Sequence, residues 1–119
     1  MSQRLGLAAE EKARHYLQSQ GLQWIASNYH CRCGEIDLIM RDNAYLVFVE
    51  VRARVSARFG GAMASITPSK KMKIIKAAQW YLLENRLYES QAIRFDVVAL
   101  EGAHAAITWI TAAFSVDFS

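Results

Sequence analysis

The chain has 119 residues, enough for one hydrophobic core and short for two, so a single domain spanning residues 1–119 is expected. Hydrophobic residues make up 53% of it from end to end, which excludes a disordered chain, and no apolar run approaches the roughly 20 residues of a membrane-spanning helix. No signal-peptide-like stretch opens the chain and Cys31 and Cys33 sit too close for an ordinary structural disulfide, so a cytoplasmic protein with no membrane partner is expected; a net charge of +3 is compatible with nucleic acid without identifying it.

Leu5, Ala9, Ala13, Tyr16 and Leu17 recur at helical spacing, and Gly21 followed by Leu22 has the form of a C-terminal cap, so a first amphipathic helix should end near Gln20. Trp24, Ile25 and Tyr29 favour extended structure between Leu22 and Arg32. Two clearer strands follow, Glu35 to Met40 and Tyr45 to Arg54, around a turn at Arg41 to Ala44 whose Asp and Asn suit an antiparallel hairpin.

Val55 to Thr67, with Gly60 and Gly61, reads as a long loop whose order depends on a ligand. Thr67 and Pro68 form a helix start, and Ile74, Ile75, Ala78, Tyr81 and Leu82 supply a buried stripe running to about Asn85. Ala92 to Leu100 and Ala106 to Ile110 read as strands around a turn at Glu101 and Gly102, and a short apolar tail ends at Phe114. The expected class is α/β, a mixed sheet of about five strands flanked by helices.

In Val47-Phe48-Val49-Glu50-Val51 a carboxylate sits in a strand apolar on both faces, where an ionised acid needs a cation or a metal beside it. Alternation puts Glu50 on a face with Leu46, Phe48 and Arg52. One strand earlier, Asp37 shares a face with Glu35 and Ile39, leaving Ile36, Leu38 and Met40 to the other. Neighbouring strands bring side chains to about 5 Å, close enough for Asp37 and Glu50 to share one hard divalent cation able to engage phosphate. The alternative is an ion pair of either acid with Arg52, serving packing alone.

Gly6, Ala9, Glu10, Ala13, Tyr16, Leu17 and Asn28, then Gly-Glu-Ile-Asp-Leu-Ile at 34 to 39 and Val-Phe-Val-Glu-Val at 47 to 51, resemble the UPF0102 (YraN-like) family. Phe59-Gly60, Lys70, Ala78, Tyr81-Leu82, the run Arg94 to Val98, and Ala113-Phe114 continue the resemblance over nearly the whole chain. It implies a restriction-endonuclease-like fold related to archaeal Holliday junction resolvases, an acidic site for Mg2+ or Mn2+, and a homodimer. It further implies Asp37 and Glu50 as metal ligands with Glu10 as a third acid; for Glu10 the residues alone equally allow an exposed pair with Arg14. The Glu-x-Lys of that superfamily stands here as Glu50-Val51-Arg52, and an arginine can clamp phosphate but not act as a base.

No acidic residue lies between Val51 and Leu83, where Arg52, Arg54, Arg58, Lys70, Lys71, Lys73 and Lys76 gather, and these cations are expected to grip a phosphate backbone. Asp96 is expected to pair internally with Arg94; His30, Cys31 and Cys33 lack the second cysteine pair of a zinc site; Trp24, Trp80 and Trp109 are expected in the core or an interface. The leading expectation is a divalent-metal-dependent, structure-selective DNA endonuclease acting at branches or ends, with Asp37, Glu50 and Arg52 catalytic. The alternatives are a non-catalytic nucleic-acid-binding or adaptor module with a degenerate site, and an interaction protein that dimerises through a sheet edge or its apolar tail.

Overall fold

Ala9, Ala13 and Leu17, one turn apart and almost fully buried, fix the inward stripe of helix α1 (Gln3–Ser19). The helix stops as its sequence implies. Leu22 N–H donates to Leu17 O at 3.1 Å and Gly21 N–H to Gln18 O at 3.0 Å, the paired bonds of a Schellman cap, with Gly21 at φ 98 where a side chain would be strained. The computed structural model describes residues 3–55, 61–87 and 89–116, with the side chains of all but 3–5 and 62.

Strands β1 (Gln23–Cys31), β2 (Gly34–Asp42) and β3 (Tyr45–Arg54) form an antiparallel meander. A helical turn α2 (Gly61–Ala64) and helix α3 (Pro68–Glu84) then carry the chain over to β4 (Ala92–Glu101), which pairs parallel to β3, and β5 (Ala106–Phe114) returns antiparallel to β4. The mixed sheet is ordered β1-β2-β3-β4-β5, so β3 is its centre, as its doubly apolar sequence requires. Thr67 caps α3, its Oγ1 accepting Lys70 N–H at 3.2 Å, with Pro68 in the first helical position.

One helix packs on each face. Ala9, Ala13 and Leu17 of α1 meet Leu38, Met40, Val47, Val49 and Val98. Ile74, Ile75, Ala78 and Leu82 of α3 meet Ile39, Leu46, Phe48 and Phe95 on the other side. No helix among the described residues is long and apolar enough to cross a membrane.

Several expectations need correction. Ile36 packs with Ile39 on the α3 face and not with Leu38 and Met40, so simple alternation fails at Asp37. The loop from 55 to 67 contains α2, and Arg58 lies outside the described residues. β5 continues four residues past Ile110, because Phe114 stacks on Phe95 with ring centroids 5.1 Å apart; it ends a strand and is not a loose tail. Trp24 and Trp80 are 45% and 49% exposed, so neither is a core residue.

Candidate functional site

The pairing of β2 with β3 runs from Asp42 opposite Tyr45 to Leu38 opposite Val49. At the next position a side chain replaces the ladder: Asp37 Oδ2 accepts the Val51 N–H at 2.8 Å. The carboxylate therefore lies in the notch where the two strands part. This explains why Ile36, just before it, falls on the face that alternation denies it.

Glu50 enters the same notch from β3, its side chain 13% exposed, and Arg52 Nη2 donates to its Oε2 at 3.0 Å. The Asp37 and Glu50 carboxyl groups lie close enough to interact directly. Burial first, then that contact and the charge of Glu50, push the Asp37 carboxyl up to about 8, although the Val51 N–H and the Arg52 cation pull it down. Two buried carboxyl groups in contact are tolerable only when a proton or a cation stands between their charges.

The notch opens into a cavity of about 370 Å3 with walls from three directions. From α1 comes Glu10, whose Oε2 is buried without a hydrogen-bond partner and whose carboxyl is raised by burial and by the charge of Asp37, while the Asn28 side chain opposes the shift. From α3 come Lys70, Lys73 and Ile74. Gly34, at the start of β2, makes the approach of α3 possible: a Cβ there would lie 3.1 Å from Lys73 Cβ and 3.2 Å from Lys73 O.

A hard divalent cation takes oxygen ligands, and Mg2+ in particular is commonly held by one or two carboxylates with water and substrate phosphate completing its shell. Asp37 and Glu50 are such a pair, and the cavity leaves room for the remaining ligands. The residues present thus fit the ion. Among the described residues no three His, Cys, Asp or Glu side chains gather closely enough to hold a metal, so Glu10 borders the pair without closing a three-acid centre. Nor is Glu10 in an ion pair with Arg14 among the described residues; Arg14 lies over the Trp24 ring, 4.5 Å from its centroid.

The cations expected along residues 52 to 76 do not all converge. Arg52, Lys70 and Lys73 line the carboxylate cavity. Lys71 turns away, its Nζ 5.8 Å from the centroid of Phe114, and Arg54 borders a separate, mostly apolar cavity with Lys12, Ala53 and Leu100. Asp96 is fully buried and held by Arg94 Nε and Nη2 at 2.9 Å each, Trp109 Nε1 at 3.0 Å and Ala112 N–H at 3.0 Å, which is the internal pairing its sequence context implies. His30 pairs with Glu35 at 3.2 Å, and both cysteines are free thiols. The contributions that sequence reasoning overlooks are Gly34, legible only as part of a motif, and Trp24, whose exposure follows from its place on an edge strand.

A family model described as "Uncharacterised protein family UPF0102" matches residues 9–100, a span that includes Glu10, Asp37, Glu50, Arg52, Lys70 and Lys73. A UPF0102 protein of Legionella pneumophila is 52% identical over 114 residues, covering 96% of this chain and 97% of the relative. UPF0102 proteins of Nitrosococcus oceani and Klebsiella pneumoniae are each 49% identical, covering 94% and 96% of this chain and 92% and 88% of their own lengths.

Proposed function

This chain belongs to the UPF0102 family, and for it we propose a divalent-metal-dependent, structure-selective DNA endonuclease that hydrolyses phosphodiester bonds on a restriction-endonuclease-like fold. The observation that carries the reading is the convergence of Asp37 and Glu50, from two parting strands, in one cavity walled by Arg52, Lys70 and Lys73. When bound, Mg2+ or Mn2+ supplies Lewis acidity toward phosphate oxygens and the acidified water that hydrolysis at neutral pH needs.

The chain's own residues divide the remaining work. Asp37 and Glu50 hold the cation, and Asp37 must give up its proton to do so. Arg52 holds Glu50 in place and stabilises negative charge on phosphate, and a guanidinium does not serve as a base toward water. Lys70 and Lys73, in the first turns of α3, bind flanking phosphates, aided by the positive end of the helix. Glu10 Oε2 is a buried acceptor beside the acid pair with no hydrogen-bond partner among the described residues.

The test is incubation of purified protein with linear, flapped and four-way-junction DNA in Mg2+ or Mn2+, beside Asp37→Ala and Glu50→Ala. Cleavage should be lost by at least about a hundredfold in both variants, the scale of removing a major charge-stabilising group. No cleavage of any substrate, or equal cleavage by the variants, removes the proposal. A specific observation favours a second reading, a nucleic-acid-binding or adaptor module: Arg52 stands where a lysine base would and already pairs with Glu50. That reading expects junction DNA to bind without being cut.

A further inference from the structure

Beside the carboxylate notch, α1 and the edge strand β1 enclose a second hollow of about 200 Å3, and Glu10 lines both. Trp24 forms one wall, 45% exposed, with its Nε1 donating to Ser27 Oγ at 3.0 Å. The indole keeps part of its surface exposed, and the hydrogen bond to Ser27 fixes its orientation. Arg14, one turn beyond Glu10, lays its guanidinium over that ring at 4.5 Å from the centroid.

The polar atoms of this wall are left wanting. Glu10 Oε2 and Arg14 Nε are both buried with no hydrogen-bond partner among the described residues, so each gains one only where the wall gives to admit a ligand atom. Asn28, on the rim, holds φ 54, a left-handed conformation, and its side chain bears on the Glu10 carboxyl. An aromatic face, a stacked cation, an unpaired acceptor and an unpaired donor together match a planar heterocycle with polar edges. The hollow is smaller than the roughly 300–1,000 Å3 of ordinary ligand pockets, so it suits a single ring system and excludes a base pair.

We infer that this hollow receives one unpaired nucleobase, stacked against Trp24 and Arg14, while the adjoining phosphodiester lies at Asp37 and Glu50. The inference rests on the nuclease reading of the carboxylate cavity and narrows its substrate. Because Glu10 stands between the two cavities, the base and the phosphate belong to neighbouring nucleotides. Continuous duplex cannot offer such a base without unstacking, whereas a flap, a gap, a frayed end or a branch offers one at little cost.

The test is equilibrium binding of fluorescently labelled flapped DNA in Ca2+, with an abasic residue walked one position at a time through the nucleotides at the branch. For the wild type, one position should weaken binding about tenfold when its base is removed, within the range of a single base–aromatic stack. Trp24→Ala should bind the intact flap as weakly as the abasic one, Trp24→Phe should retain most of the discrimination, and continuous duplex should bind all three proteins alike. If flapped DNA binds but no abasic position matters, or Trp24→Ala discriminates as the wild type does, the base site is lost and the nuclease reading stands. If no DNA binds at all, both fall together.

Discussion

In the metal-free protein the Asp37 carboxyl keeps its proton at neutral pH, because burial and Glu50 push it up to about 8 from the ordinary 3.8. Between those two values the native state carries a proton that the unfolded chain has lost, so stability falls as pH rises through that window and levels off above it. Urea midpoints in EDTA should therefore decline from about pH 5 to about pH 8, and Asp37→Asn, which cannot ionise, should flatten that decline. An unchanged slope in the variant would assign the titration elsewhere. Asp96 is held by its partners: four hydrogen bonds from Arg94, Trp109 and Ala112 converge on a side chain with no exposure. Asp96→Ala removes the acceptor shared by Arg94, the Trp109 N–H and the Ala112 N–H and leaves Arg94 paired with Asp42 alone, and denaturation should show a loss of about 3 kcal/mol with Mn2+ affinity of the folded protein unchanged.

Between β2 and α3 the contact depends on a missing side chain. A methyl group at Gly34 would meet Lys73 Cβ at 3.1 Å and the Lys73 carbonyl at 3.2 Å, so α3 must give by a few tenths of an ångström there. Gly34→Ala should cost about 1–3 kcal/mol in thermal or urea unfolding and weaken DNA binding by displacing Lys73 from the cavity wall. A variant of wild-type stability would mean the helix gives way freely. Elements governed by local rules were legible in the sequence: the Gly21-Leu22 cap, the Thr67-Pro68 start and the alternation in β3 each depend on a few neighbouring residues. Ile36 and the far end of β5 were not, since one depends on a carboxylate replacing a ladder bond and the other on Phe95 stacking across strands. Lys71 parts company with Lys70 and Lys73 for a reason helical geometry contains: steps of three share a face, and the residue between them turns toward Phe114.

Taken across the molecule, the sheet has a helix on each face, and the notch where β2 and β3 part is reached by acids from three elements and by lysines from a fourth. The meeting of Asp37 and Glu50 could be anticipated from two carboxylates in adjacent apolar strands. The incomplete enclosure by Glu10 could not, because the placing of α1 over the strand ends is set by tertiary packing of Ala9, Ala13 and Leu17 against the sheet. On the proposed reading, this acid pair exchanges a proton for a divalent ion. Calorimetric titration of the apoprotein with Mn2+ near pH 7, in two buffers of different ionisation heat, measures both halves of that exchange. Binding at a single class of site with release of close to one proton, abolished by Asp37→Asn and by Glu50→Gln, is the expected result; no binding, or equal binding by either variant, would contradict it.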